Sequence, residues 1–191
     1  MVEMDLDSVD YIAVASGPGS FTGLRIGVST AKALAYALHK PIIGVPTLDG
    51  LAYNITYTNH VICPIMDARR NQVYTAFYLW ENGLLTRQSD YLAIDINTCI
   101  EKARVYDRPI IFLGDGVSVH KDIIGEKMDK CEYSFAPPSC NMQKASSVGS
   151  LAFLLAKEGK AQNPMEFAPF YLRKSQAERE YEEKVNKKDL F

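Results

Sequence analysis

The residues best suited to chemistry lie in a glycine-rich segment near the amino terminus, Gly17-Pro18-Gly19-Ser20-Phe21-Thr22-Gly23. Its glycines permit tight turns, and backbone amides at a helix amino terminus attract anions. However, the spacing GxGxxxG differs from the GxGxxG of dinucleotide-binding loops, and no lysine follows as in a Walker loop. The segment is therefore compatible with an anion site, but the spacing favours a simple strand-to-helix turn.

A second charged group is found in Asp67-Ala68-Arg69-Arg70. Guanidinium groups can bind a phosphate or a carboxylate through two parallel hydrogen bonds. In the alternative interpretation, the segment is a solvated turn in which Asp67 accepts hydrogen bonds from nearby backbone amides. The residues alone favour the turn, and we retain Arg69 and Arg70, together with Arg25, as candidate contacts for an anion or RNA.

The groups that usually carry catalysis or bind metals lack the necessary spacing. The three histidines form neither HxxxH nor HExxH, no GxSxG motif is present, and the four cysteines form no CxxC pair. We therefore predict no catalytic residue, no metal site and no cofactor, with the cysteines present as reduced thiols. No apolar run approaches the length of about 18 residues typical of a membrane span, so we expect a cytoplasmic protein.

The net charge of −2 and a sequence pI of about 5.9 lack the basic excess of proteins that bind nucleic acid unaided. Any contact with RNA would then depend on a partner.

Apolar periodicity predicts an α/β fold with mixed sheets. A strand at residues 11–15 leads through the glycine-rich segment into a helix over residues 23–38 that Ser20 or Thr22 can cap, and Pro41 ends this helix. The other predicted elements are a strand at 41–45, a helix capped by Thr47, strands at 61–66, 73–80 and 84–89 in an antiparallel meander with an Asn82-Gly83 hairpin turn, a helix at 96–103, a strand at 109–113, a loop at 114–116 and a helix at 146–157.

The helix over residues 23–38 has two sets of small or apolar residues. Gly23, Gly27, Ala31 and Ala35 recur at four-residue spacing and predict a groove that another helix can approach closely. The leucines and valine remain for packing on the helix's own sheet; they are Leu24, Val28, Leu34 and Leu38. Because glycine within a helix costs about 1 kcal/mol relative to alanine, a close contact is expected, but the pattern leaves an intermolecular and an intramolecular contact equally open.

Several blocks of the sequence together resemble the TsaB family, also called YeaZ. They are Ser16–Gly27, Ala31–Ala35, Pro41–Val45, Asp67–Arg70 with Val73-Tyr74, Gly114–Gly116 and Pro169–Glu178. Their order matches the family, and the resemblance covers nearly the whole chain.

The resemblance implies an actin-like fold of two lobes, related to Hsp70 and sugar kinases. We expect an amino-terminal lobe over residues 1–59 and a carboxyl-terminal lobe over residues 60–191, with a charged tail from about residue 178. Family members usually begin with a strand carrying an Asp-Thr pair, a hairpin and a helix that have no counterpart in this sequence. The first lobe is therefore expected to be incomplete.

The resemblance also implies a function. TsaB-type proteins are expected to be non-catalytic partners of a TsaD-type transferase, with a TsaE-type ATPase, in formation of N6-threonylcarbamoyladenosine beside the tRNA anticodon. They are expected to form homodimers without these partners, and to meet tRNA only through the complex. The family's dimerisation surface favours an interface at the helix, and we assign to it Gly23, Leu24, Gly27, Val28, Ala31, Leu34, Ala35 and Leu38. The alternatives are a kinase-like ATP-dependent enzyme, a glycoprotease-type peptidase, and direct RNA binding through Arg25, Arg69 and Arg70.

Overall fold

The computed structural model describes residues 5–173, which form nine strands and five α-helices in mixed order. The strands are β1 (Ile12–Gly17), β2 (Ile42–Pro46), β3 (Val61–Asp67), β4 (Gln72–Thr75), β5 (Tyr78–Glu81), β6 (Leu84–Arg87), β7 (Leu92–Asp95), β8 (Ile110–Leu113) and β9 (Tyr133–Phe135). The helices are α1 (Phe21–Ala37), α2 (Thr47–Ala52), α3 (Ile96–Arg104), α4 (Gly116–Lys127) and α5 (Ala145–Lys157). The predicted tail from residue 178 lies outside the described residues.

The first sheet contains the parallel strands β1 and β2. Neighbouring residues of β2 point to opposite faces, so Ile42 packs with the buried side of α1 while Ile43 packs with α5. The two strands are thus enclosed between two helices, and most of their stability must come from these helix contacts, because a two-stranded sheet alone is marginal.

The carboxyl-terminal part of the described chain returns to this first sheet. Ala152 of α5 packs against β2, Gln162 exchanges backbone hydrogen bonds with Ile42, and Phe167 is buried between β2 and α1. Residues 145–167, which the sequence placed in the second lobe, therefore pack on the first. The predicted lobe boundary near residue 59 rests on chain order alone, so it does not include the packing of residues 145–167 on the first sheet.

The second sheet has seven strands, with β3 at its centre. The order β6-β5-β3-β4-β7 is antiparallel, while β8 pairs parallel with β3 and β9 pairs parallel with β8. Helices α3 and α4 contribute to a core on one face with Phe77 and Phe112, whereas α2 contributes Leu48 and Leu51 to the core on the other. The predicted mixed α/β architecture is confirmed.

The predicted meander of three strands is wrong in detail. The strand expected at residues 73–80 is divided at Ala76 and Phe77, because its first half pairs with the end of β3 and its second half pairs near the start. Consequently β3 lies between β4 and β5. The Asn82-Gly83 turn is confirmed, since both residues have the positive φ angles that a tight hairpin turn needs.

Three elements were not predicted, namely β7, β9 and α4. The segment at residues 114–116 was expected to be a loop, but Gly116 begins α4. The buried side of this helix includes Gly116 and His120, which weakens the apolar pattern that marks a helix in sequence. Within residues 5–173, no helix combines the length and apolarity that crossing a bilayer would require.

Candidate functional site

The glycine-rich segment forms the turn between β1 and α1. Gly17 has a φ of +118°, and the Ser20 hydroxyl caps α1 by accepting a hydrogen bond from the Gly23 amide at 3.3 Å. Thr47 does not cap α2 as predicted, because it is the first residue of that helix. Its hydroxyl oxygen instead accepts from the Gly17 amide at 3.1 Å. The turn is thus attached to the start of α2.

A cleft of about 470 Å³ opens beside this turn. Its walls come from the glycine-rich loop and the start of α1, from the end of β3 and the turn after it, from the residue before α4, and from residues 170–173. The first sheet's loop and the second sheet's strand ends therefore face each other across the cleft.

Asp67 organises the turn on the second-sheet side. Its carboxylate accepts from the Arg69 amide at 2.8 Å and pairs with the Arg69 guanidinium at 3.3 Å, while its own amide donates to the Asp115 carboxylate at 3.2 Å. The Arg69 side chain is 88% exposed, so the ion pair adds little stability. These contacts are those of the solvated turn that the sequence favoured.

The turn after β3 has an uncommon backbone. Arg69, Arg70 and Asn71 all have positive φ angles, between 54° and 65°, in the left-handed region, which costs about 1–2 kcal/mol per residue. The turn is held by hydrogen bonds from the Ala68 amide to the Gln72 carbonyl and from the Ile96 amide to the Asn71 carbonyl, both at 2.9 Å. The surrounding sheet therefore fixes the backbone of both arginines.

The three candidate arginines do not form one site. Arg69 lines the cleft, Arg70 is exposed outside it, and the Arg25 guanidinium lies over the Phe21 ring at 4.1 Å. The cleft also contains the carboxylates of Asp67 and Asp115, which oppose the binding of an anion. Across residues 5–173, no three His, Cys, Asp or Glu side chains come together as metal ligands.

The helix α1 has a buried and an exposed side, and the eight predicted interface residues divide between them. Leu24, Val28, Ala31 and Ala35 are buried against the helix's own lobe, so these four are unavailable to a partner. Gly23, Gly27 and Leu34 are exposed, and Leu38 is half-buried. The predicted small-residue groove is therefore wrong as a continuous exposed surface, because residues at four-residue spacing rotate gradually around a helix of 3.6 residues per turn.

The exposed side of α1 carries no charge along its centre. We call this surface the outer face; it consists of Gly23, Ile26, Gly27, Thr30, Ala33, Leu34 and Ala37. Ile26 is 64% exposed and Leu34 is 52% exposed, although the sequence had assigned Leu34 to packing on the sheet. A Cβ atom added at Gly27 would meet nothing within 4 Å, so no close contact among the described residues accounts for this glycine.

A half-buried acid that sequence reasoning missed lies at Asp49 on α2. Its carboxylate accepts hydrogen bonds from the Tyr78 hydroxyl at 2.6 Å and from the Tyr91 hydroxyl at 2.9 and 3.0 Å. Burial raises the pKa of Asp49, while the two hydroxyls and the charge of Arg87 lower it in part. Burial and the nearby Asp49 charge also raise the pKa values of Tyr78 and Tyr91. No local motif marks this site, because its residues are 29 and 42 positions apart.

Comparison with known proteins places these features in a family. A family model described as "TsaD: tRNA N6-adenosine threonylcarbamoyltransferase" matches residues 1–181. The chain is 38% identical over 176 residues to the tRNA threonylcarbamoyladenosine biosynthesis protein TsaB of Bacillus subtilis, covering 92% of this chain and 75% of the relative. The chain belongs to the TsaB family.

Further similarities extend this assignment. TsaB of Buchnera aphidicola is 35% identical over 117 residues, which are 60% of this chain and 56% of that protein. The crystal structure of a Pseudomonas aeruginosa protein with similarity to peptidase YeaZ superposes with a TM-score of 0.71 at 24% identity, covering 88% of this chain and 76% of that one. A second structure, YeaZ from P. aeruginosa, gives a TM-score of 0.67 at 21% identity, covering 87% and 76%. The predicted actin-like fold of TsaB proteins is thereby confirmed.

Proposed function

We propose that this chain is a non-catalytic partner subunit of a TsaD-type transferase, acting with a TsaE-type ATPase when the threonylcarbamoyl group is formed on adenosine beside the tRNA anticodon. Membership of the TsaB family supports a role in this pathway, since the relatives carry the name of tRNA threonylcarbamoyladenosine biosynthesis proteins. The matched family model is itself described by the transferase activity, so the chain is related in sequence to the transferase that we propose as its partner.

The observation that carries the partner role is the outer face of α1. Gly27 lies in the middle of a 17-residue helix, where glycine costs about 1 kcal/mol relative to alanine. No contact within the described chain offsets this cost. A helix from another subunit that approaches Gly27 closely would offset the cost of this glycine. It would also bury the exposed side chains of Ile26 and Leu34.

The same surface can pair two copies of this chain when TsaD is absent. The homodimer and the heterodimer then compete for one helix face, so added TsaD is expected to convert the first into the second. Contact with tRNA follows in the complex, because the chain's net charge of −2 provides no general attraction for RNA. Arg25, Arg69 and Arg70 remain candidate contacts, since all three are exposed.

Co-elution with the cognate TsaD tests the interface. We expect Gly27→Glu and Leu34→Glu each to abolish co-elution, because a carboxylate in an apolar interface loses its hydration without gaining a partner. Ser150→Glu is the matched control, since it introduces the same charge at an exposed position of α5. Ala31 is unsuitable for this test because it is buried in its own lobe.

Co-elution that persists in both glutamate variants would overturn the interface. The non-catalytic role is tested separately by reconstituting tRNA modification with TsaD and TsaE, with and without this chain. Modification should require the chain, and the outer-face variants should abolish it. Turnover of ATP or of a peptide by the isolated chain would instead support an enzyme.

A further inference from the structure

Residues 169–173 follow the buried Phe167 and run along the cleft between the two sheets; we call them the strap. The Phe170 amide donates to the Ser16 carbonyl at 2.7 Å, beside the glycine-rich loop. The Arg173 guanidinium donates to the Ala68 carbonyl at 3.0 Å, in the turn after β3. The strap is therefore bonded to the first lobe at one end and to the second lobe at the other.

The strap also passes unusually close to the glycine-rich loop. A Cβ atom at Gly17 would fall on the backbone carbonyl of Phe170, so only glycine fits at this position. One residue further along the strap, the Tyr171 ring packs against Phe21 at a centroid distance of 4.7 Å. Since Phe21 begins α1, the strap is held against the first turn of this helix as well.

Tyr91 joins the strap to Asp49, the half-buried acid on α2. Its ring packs against Phe170 at a centroid distance of 5.7 Å, and its hydroxyl donates to Asp49. The Arg87 guanidinium lies 3.9 Å from the centroid of the same ring and so restrains its orientation. Tyr91 belongs to the second lobe, whereas Asp49 lies on α2, which sits at the junction and packs on β1 and β2 of the first sheet and on β3 of the second.

We propose that Asp49, Tyr78, Tyr91 and Phe170 form an interlobe lock, in which Tyr91 couples α2 to the strap and holds the two lobes at one relative orientation. The lock joins elements that are far apart in the sequence, and its contacts lie at the junction between the two sheets. Hinged two-lobed proteins change the angle between their lobes through a few mobile connections. In this protein the strap is an additional connection between the lobes, and its contact with Tyr91 restrains such a change of angle. The lock does not depend on the identity of the partner or on the proposed function.

A double-mutant cycle tests the coupling through Tyr91. Asp49→Ala and Phe170→Ala each remove one contact of Tyr91, and nothing in the described structure joins Asp49 and Phe170 directly. In the full chain, we expect the shifts of the urea midpoint to be non-additive, because the two residues act through one intermediate. In a Tyr91→Leu background, the shifts should become additive. Additive shifts in both backgrounds would overturn the lock.

Hydrogen exchange measured by mass spectrometry tests the same idea without a cycle. Tyr91→Phe keeps the ring but removes the hydroxyl, so exchange in α2 should accelerate about fivefold, as expected for the loss of one hydrogen bond of about 1 kcal/mol, while the strap stays protected. Tyr91→Leu should accelerate exchange in both α2 and the strap. Unchanged exchange of α2 in Tyr91→Leu would contradict the proposal.

Two controls separate the lock from a general loss of stability. Tyr171→Phe removes a hydroxyl from the strap but retains the ring that packs on Phe21, and exchange of α2 should match that of the parent chain. Helix α3 packs in the core of the second lobe, away from Asp49. Its exchange should stay the same in every variant, and acceleration there would show unfolding rather than release of the lock.

Discussion

The two sheets of the molecule differ in how completely their strands are paired. In the second sheet, β3 pairs with neighbours along both edges, and its residues from Val61 to Ile65 are buried. In the first sheet, β1 pairs only with β2 among the described residues, and Ala13 is exposed. The first lobe thus leaves accessible the free edge of β1, on the side away from β2, and the apolar outer face of α1. Surfaces of this kind mark interaction sites in folded proteins.

The direction of the open edge follows from the pairing. The Ile12 amide donates to the Pro41 carbonyl beside β2 at 3.1 Å. Because successive residues of a strand direct their backbone groups to opposite edges, Ala13 and Ala15 direct theirs away from β2. The two sheets therefore differ in the exposure of defined backbone groups as well as in total burial.

The largest effect is expected in the second lobe. Phe112 of β8 is fully buried and packs with Tyr133 and Phe135. Phe112→Ala should lower the free energy of unfolding by about 3–5 kcal/mol, because it removes apolar contacts and leaves a cavity. Urea unfolding measures the change. A cost below about 1 kcal/mol would mean that the second lobe is not the better packed of the two.

An intermediate, pH-dependent effect is expected at Asp49, which connects the lobes. A carboxyl whose pKa is raised on folding contributes stability that is full below its unfolded-state pKa and is lost as pH rises through the folded-state pKa. Relative to Asp49→Asn, the parent chain should therefore lose stability as the pH rises above about 4.

Urea unfolding of both chains at several pH values in this range measures the difference. The groups that face Asp49 are Tyr78, Tyr91 and Arg87, and the control is Asp122→Asn, at an exposed carboxylate on α4. A difference between the parent and Asp49→Asn that stays constant, or that grows in the opposite direction, would contradict the assignment of burial as the main influence on this pKa.

The smallest effect on stability is expected on the outer face of α1. Leu34 is 52% exposed, so Leu34→Ser should change the free energy of unfolding by no more than about 0.5 kcal/mol. Leu24→Ser, at a buried position of the same helix, is the matched comparison and should cost more than 1 kcal/mol, in line with placing a hydroxyl in an apolar site. Equal costs at the two positions would show that the outer face is covered in the isolated chain.

Local sequence patterns predicted the elements whose signals lie within a few residues. The β1 strand, the capped helix α1 and the Asn82-Gly83 hairpin turn were found because glycine, proline and a capping serine act on neighbouring residues. The same reasoning missed α4, whose buried side includes a histidine, and β9, which has three residues and forms only by pairing with β8. Local sequence patterns do not predict pairing with a strand that is distant in the sequence.

For the candidate site, local sequence patterns predict the strand-turn-helix and the turn-forming role of Asp67, and the sequence blocks indicate the family to which the chain is similar. The tertiary structure decided which side of α1 is available, since burial of Ala31 and Ala35 depends on β2 and Phe167. It also decided that Asp49, Tyr91 and the strap meet. Such contacts join residues separated by tens of positions, and only the packing of the two sheets brings them within reach of one another.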